Sequence, residues 1–345
     1  MKNILVIRND KIGDFMLAWP AFAMLKQSMP KVEITALVPA YTRPLADLCP
    51  FIHKVLIDCG KDADKLSKIE LIRNIKKNGF DASICLFSDV YNATLVWKVG
   101  IPFRLAPATK IFQLLYNYRV TQRRSQSLKP EYQYNLDLIR FFLDEQNIEV
   151  VEPTAPYLSF EPTILSAQRR KLSQSLLLDE EQPWLYIHVG SGGSANNLSL
   201  TQYAQLVTGM YQVMDMEIIL TAGPSETEKA VALKGMLEEK NVKSVVYDKN
   251  DGLQDFTCSI ACASVFIAGS TGPLHIAATI DVPTIGFFPS KCSATHLRWQ
   301  PINSKGRHLA FFPPPNKNKN VATDMVKINI EDILARVNSF LGRVS

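Results

Sequence analysis

Short, continuously apolar runs alternate along this chain with longer stretches in which apolar positions recur every three or four residues. The run at residues 4–7 predicts a strand. Residues 14–27 predict a helix, with Phe15, Leu17, Ala18, Phe22 and Leu25 on its apolar side and Pro20 interrupting it. Further strands are expected at 32–38, 54–57 and 82–87, and a helix at 65–77. Apolar strands spaced by helices read as βαβ units, whose parallel sheet is covered on both faces. The pattern lapses over residues 105–129, where Lys110, Arg119, Arg123, Arg124 and Lys129 suggest a basic loop region. A helix at 132–143 follows, then a connector at 151–162 carrying Pro153, Pro156 and Pro162. A second series then begins. Its strands are expected at 185–189, 217–221, 244–247, 265–268 and 284–288, and its helices at 201–214, 226–239 and 254–261. A proline-rich loop at 313–315 and a helix at 330–341 close the chain.

Two such series imply an α/β protein of two Rossmann-like domains with parallel sheets facing a central cleft. Ligands in such sheets sit beyond the carboxyl ends of the strands. The boundaries predicted are residues 1–160 and 161–328, with 329–345 as a C-terminal helix packing back on the first domain. A length of 345 residues, 47% of them hydrophobic, is enough for two cores. The net charge of +5 suits anionic ligands or an anionic membrane surface and does not call for nucleic acid. No two of the six cysteines form a CxxC pair, so no zinc pattern is present, and Cys258 and Cys262 read as small core residues. Four apolar residues before Arg8 make a strand rather than a signal peptide. No run approaches the roughly 20 apolar residues that span a bilayer. A cytoplasmic protein with reduced thiols is expected.

The most informative stretch is Gly269-Ser270-Thr271-Gly272-Pro273-Leu274-His275. A buried strand stopping at a glycine turn with a helix starting at once aims free N–H groups, a hydroxyl and an imidazole at one spot. Such a helix start favours phosphate. The first strand ends in Arg8-Asn9-Asp10-Lys11-Ile12-Gly13-Asp14. Asp14 reads as an N-cap or as a carboxylate that takes a proton from an attacking hydroxyl. His188-Val189-Gly190-Ser191-Gly192-Gly193-Ser194 is a glycine-rich turn that fits neither GxxxxGK[ST] nor an ordered GxGxxG. It is a plain loop or a phosphate contact. Glu226 complements a helix dipole or binds ligand hydroxyls. Arg123 and Arg124 are solvated charge or a clamp for an acidic acceptor.

These motifs resemble glycosyltransferase family 9, the ADP-heptose:lipopolysaccharide heptosyltransferases, in order along essentially the whole chain. The resemblance rests on Lys11-Ile12-Gly13-Asp14, Phe80-Asp81-Ala82-Ser83-Ile84, Ile101-Pro102-Phe103-Arg104, His188-Val189-Gly190-Ser191, Gly223-Pro224-Ser225-Glu226 and Ser270-Thr271-Gly272-Pro273-Leu274-His275. It implies the GT-B fold and an inverting transfer, metal-free, with Asp14 as general base. It implies donor contacts from Ser191, Gly192, Ser194, Asn196, Glu226, Ser270, Thr271, Gly272 and His275. Lys11, Arg104, Arg123 and Arg124 are the implied acceptor contacts. The partners would be ADP-heptose and a lipopolysaccharide core acceptor, with no nucleic acid, and no cofactor because the ADP-sugar is a substrate. The basic loops suit peripheral contact with the cytoplasmic face of the inner membrane. Two positions depart from the family's pattern. Ser270 stands where Asp or Asn is usual, and Asn196-Asn197-Leu198-Ser199 replaces a Lys-x-Trp-Pro run, leaving Lys291 and Arg298 to supply the missing charge. These departures keep open a different nucleotide-sugar donor, or a non-catalytic binding protein on the same scaffold.

Overall fold

Burial on both faces of short strands organises the chain into two α/β units. The computed structural model describes residues 1–193, 196–223 and 225–344. One unit comprises Met1–Arg124 with Leu128–Leu158, and the other Ser125–Ser127 with the chain from Ser159 onward.

Among the described residues, the first unit carries β1 (Asn3–Ile7), β2 (Glu33–Pro39), β3 (Lys54–Asp58), β4 (Ala82–Cys85), β5 (Phe103–Pro107) and β6 (Tyr118–Val120). They form one parallel sheet in the order β3-β2-β1-β4-β5-β6. Its helices are α1 (Ile12–Met16), α2 (Trp19–Ser28), α3 (Arg43–Leu48), α4 (Lys65–Asn78), α5 (Val90–Val99) and α6 (Glu131–Glu145). The helix expected over 14–27 is two helices. Pro20 sits in the first turn of α2, where its missing N–H costs nothing, so it starts a helix rather than interrupting one. The basic stretch after residue 104 is also more ordered than expected: β5 and β6 complete the sheet, with a 3-10 turn at Ile111–Leu115 between them.

The second unit repeats the plan. Its strands are β7 (Trp184–His188), β8 (Glu217–Thr221), β9 (Val245–Tyr247), β10 (Val265–Gly269), β11 (Thr284–Phe287) and β12 (His308–Phe311), all parallel in the order β12-β11-β10-β7-β8-β9. Counted from its own first strand, this is the same 3-2-1-4-5-6 order as the first unit, that of dinucleotide-binding sheets. Its helices are α7 (Pro162–Leu176), α8 (Leu200–Tyr211), α9 (Thr227–Glu238), α10 (Leu253–Ala261), α11 (Gly272–Thr279), α12 (Lys319–Ala322) and α13 (Ile330–Val344). The terminal helix contributes to the second unit's own core, where Ile333, Val337 and Phe340 of α13 are buried. Gly209 of α8 permits the approach: a Cβ there would come within 2.5 Å of Leu334.

In each sheet the strand order reverses once, between β1 and β4 and between β7 and β10. Loops leaving the two strands at such a reversal go to opposite faces and open a crevice at the carboxyl edge. Residues 8–14 and 86–89 occupy that edge in one unit; residues 189–193 and 270–272 occupy it in the other.

Candidate active site

In the first unit the apolar run of β1 ends in a buried cation. Arg8 is 2% exposed, a position tolerable for a guanidinium only if its donors are matched. Three carboxylates surround it. Nη2 donates to Asp14 Oδ1 at 2.6 Å, Nε lies 2.9 Å from Asp10 Oδ1, and Nη1 lies 3.3 Å from Glu131 Oε1. Nη1 also donates to the Leu86 carbonyl, 3.2 Å away. Arg124 closes the network from the other side, donating to Glu131 Oε1 at 2.6 Å and to the Leu86 carbonyl at 3.1 Å. Burial alone would lower the proton affinity of Arg8, but Asp10, Asp14 and Glu131 outweigh it and raise it. The Asp10 carboxyl moves up to about 7, chiefly because it is buried, with Asp14 and Glu131 adding to the rise and Arg8 opposing it.

Asp14 lies in the first turn of α1, but the N-cap there is Lys11, which makes no side-chain cap. Asp14 is therefore not spent as a cap. One oxygen is held by Arg8, and Oδ2 makes no hydrogen bond among the described residues. Lys11 is exposed beside it at the carboxyl edge, and Arg123 is exposed after β6. Two implied acceptor residues are placed otherwise. Arg124 is committed to Glu131 and Leu86. Arg104 lies near the amino end of β5, away from the carboxyl edge, and its guanidinium donates to the carbonyls of Leu115 (3.0 Å) and Ile101 (2.6 Å). Both were expected as acceptor contacts; in the structure each guanidinium donates to oxygens inside the unit.

In the second unit the glycine-rich turn after β7 is clamped from two sides. Glu226 Oε1 accepts from the backbone N–H of Ser191 (2.7 Å) and Gly192 (2.9 Å). Burial raises the Glu226 carboxyl, but those two amides, with His188 and Lys229 nearby, outweigh it and hold it below the usual range. Gly190 is required by this clamp, since a Cβ there would sit 1.8 Å from Glu226 Oε2. From the other side, Asn197 donates to the carbonyls of Val189 (3.0 Å) and Gly190 (3.3 Å) and accepts from the Tyr203 hydroxyl at 2.6 Å. Gly269 lets Asn197 approach β10: a Cβ there would lie 2.8 Å from Asn197 Oδ1. The Ser191 and Gly192 amides are thus taken by a carboxylate, and Glu226, read as complementing a helix dipole or binding ligand hydroxyls, shapes the turn. Asn196 is exposed and donates to the Thr323 carbonyl. Ser194 lies outside the described residues. Sequence reasoning missed Arg8, Glu131 and Asn197; the one signal available was a charge directly after four apolar strand positions.

The turn after β10 enters α11 with Thr271 as N-cap in an extended conformation and no side-chain cap. The first-turn N–H groups of a helix have no partners within it, and Pro273 contributes none. Thr271 is 5% exposed, with Ser270 half-buried beside it. His275 lies beneath the turn, 2% exposed, its Nδ1 without a partner, and burial drives its imidazole down to about 4. His188, at the end of β7, is likewise lowered to about 4 by burial and pairs through Nδ1 with the Thr221 hydroxyl at 3.0 Å. Both rings are neutral at physiological pH. Among the described residues no group of His, Cys, Asp and Glu is arranged to hold a metal ion.

Two sheets of dinucleotide-binding order, one ending in a buried arginine with an available aspartate and the other in a tied glycine turn beside a helix start, define a transferase of the GT-B class. The chain belongs to glycosyltransferase family 9 (heptosyltransferase), whose family model matches residues 68–327. It is 51% identical to a Haemophilus influenzae protein named "Putative glycosyltransferase", across 99% of this chain and 97% of the other. It is 23% identical to lipopolysaccharide heptosyltransferase 3 of Escherichia coli K12, across 84% of this chain and 82% of that one. In fold it is similar to E. coli ADP-heptose lps heptosyltransferase II, with a TM-score of 0.77 at 17% identity and 99% of each chain covered. A family 9 glycosyl transferase of Veillonella parvula gives a TM-score of 0.80 at 15% identity, covering 99% of this chain and 97% of the other.

Proposed function

We propose that this chain transfers a heptose from ADP-heptose to a lipopolysaccharide inner-core acceptor, with inversion at the anomeric carbon. Asp14 is the general base. It takes the proton of the acceptor hydroxyl as that oxygen bonds to the anomeric carbon. The bond from that carbon to the diphosphate oxygen breaks, and ADP leaves with the electron pair. The first-turn N–H groups at Thr271 and Gly272 meet the charge that develops on the diphosphate. Lys11 and Arg123 are the exposed cations at the carboxyl edge suited to acidic groups of the acceptor. The ADP-sugar is a substrate, and the reading needs no resident cofactor. It puts the protein on the cytoplasmic side of the inner membrane, in peripheral contact with it; among the described residues no helix is long and apolar enough to cross a membrane.

The observation that carries this reading is Asp14 itself: an aspartate in a helix's first turn that caps nothing, fixed through one oxygen by a buried arginine, with the other oxygen available. The test is incubation of the purified protein with ADP-heptose and a truncated lipid A–sugar acceptor, following ADP release and product linkage. Transfer only from another nucleotide-sugar would keep the transferase and remove heptose. Ser270 and Asn196, which replace the family's usual acidic or amide residue and its lysine, are the observations that favour that second reading.

A further inference from the structure

The segment between Asp89 and Glu131 contains no Asp or Glu and seven Lys or Arg residues. In a chain whose overall excess is only +5, this concentrates positive charge on one part of the first unit. Lys98, Lys110, Arg119 and Arg123 within it are exposed. The same segment exposes large apolar side chains: Ile111 at 82%, Leu114 at 70%, Val90 at 62% and Trp97 at 54%.

The geometry explains why they point outward. A 3-10 turn has three residues per turn, so residues three apart share a side. In Ile111–Leu115, Phe112 and Leu115 pack against the first unit's core, which leaves Ile111 and Leu114 together on the outer side. Val90 and Trp97 are seven residues apart on α5, two helical turns, and so share its outer side, while Ala93, Leu95 and Val96 are buried. The 3-10 turn packs against α5. Val90 follows the carboxyl end of β4 and Ile111 that of β5, the same sheet edge from which the Arg8–Asp14 loop leaves β1.

We infer that this face, built from α5 and the 110–115 turn, docks on the surface of a bilayer containing anionic phospholipid. Exposed lysines and arginines interleaved with aliphatic and indole side chains, with Asp89 tied to the Asn92 amide as the N-cap of α5, match a surface whose headgroups are negative and whose interior is apolar. A nucleic acid offers the charge but no apolar layer for Ile111 and Leu114. The docking deepens the proposed function, on which it rests only in that a lipid-anchored acceptor would then reach the carboxyl edge from the membrane side.

The test is sedimentation of the full chain with vesicles of phosphatidylglycerol and phosphatidylethanolamine, against vesicles of phosphatidylcholine alone. Trp97 supplies a second readout: Trp19 and Trp184 are fully buried, Trp299 is half-buried in the other unit, and Trp97→Phe assigns the signal. Binding to the anionic vesicles with a blue shift in Trp97 emission is expected, at least about tenfold tighter than to the neutral ones. Ile111→Ser/Leu114→Ser should weaken it by roughly tenfold or more, as should Lys98→Glu/Lys110→Glu, without lowering the melting temperature. Equal binding to both vesicle types, or unchanged binding by the Ile111/Leu114 variant, overturns the inference. So does a wild-type dimer in sedimentation that this variant dissociates, because a second copy would then be what covers the face. Vesicle binding is read without turnover, so it stands or falls separately from the transferase activity.

Discussion

Arg8 donates to Asp14 Oδ1 across 2.6 Å from a site where only 2% of the arginine is exposed. The same guanidinium reaches Asp10 and Glu131, so one cation orients three carboxylates. Lysine supplies the charge at a single point and cannot hold three partners in one plane. Arg8→Lys should lower kcat by about 10- to 100-fold, with a smaller change in donor KM. Arg8→Met leaves buried carboxylates uncompensated and should cost about 3–5 kcal/mol of stability in urea unfolding.

Asp10 shares that guanidinium and, chiefly through burial, has its carboxyl raised to about 7. As it ionises through neutrality it adds a negative charge to the cluster that Arg8 shares with Asp14, which favours drawing the acceptor proton into that site. The rate should therefore climb with an inflection near pH 7. Asp10→Asn should remove that inflection and leave a lower, flatter profile. A pH series of kcat for the two proteins checks this; an inflection that survives the substitution belongs to another group.

Glu226 and Gly190 meet so closely that a single methyl group tests the clamp. Gly190→Ala places a Cβ 1.8 Å from Glu226 Oε2, so the carboxylate must leave the Ser191 and Gly192 amides. Losing hydrogen bonds to a charged acceptor costs about 1.5–3 kcal/mol each way it is measured. Titration calorimetry with ADP should show weaker binding for Gly190→Ala and Glu226→Ala, and a milder loss for Glu226→Gln, which keeps one acceptor oxygen.

Four histidines of the second unit are depressed by burial: His188 and His275 to about 4, His308 to about 3, the last also lowered by His275 and His296, and His296 itself downward. A base whose folded value lies below its unfolded value of about 6.5 contributes stability that is complete above 6.5 and lost as pH falls toward the folded value. Asp10 runs the other way: its raised value favours the fold below about 4, and this is lost as pH rises to 7. Four groups against one leave a net fall on acidification, each proton contributing up to about 1.4 kcal/mol per pH unit. The urea midpoint should drop steeply from pH 6.5 to 4. A flat midpoint across that window would contradict the burial of these rings.

The βαβ series could be read along the chain because strands of a doubly covered parallel sheet are apolar on both faces, and β1, β2, β4, β7, β8 and β10 are. β5 and β6 could not, since Arg104, Arg119 and Pro107 interrupt strands of only five and three residues. Pro162 looked like the end of a connector, yet it opens α7, where a first-turn proline is at home. At the site, Asp14, Thr271 and His275 announce themselves through local motifs. The contacts that fix them do not. Arg8 meets Glu131 across 123 positions and Glu226 meets Ser191 across 35, pairings set by which strands adjoin and not by local spacing.

The central claim is that Asp14 removes the acceptor proton. Single-turnover transfer from ADP-heptose to the truncated lipid A–sugar acceptor, compared between the wild-type chain and Asp14→Asn, tests it most directly. The amide keeps the shape and the Arg8-facing oxygen but cannot take a proton, so the rate should fall by about two decades or more while ADP-heptose binding, measured separately, holds within about twofold. A variant that transfers at the wild-type rate would contradict the account.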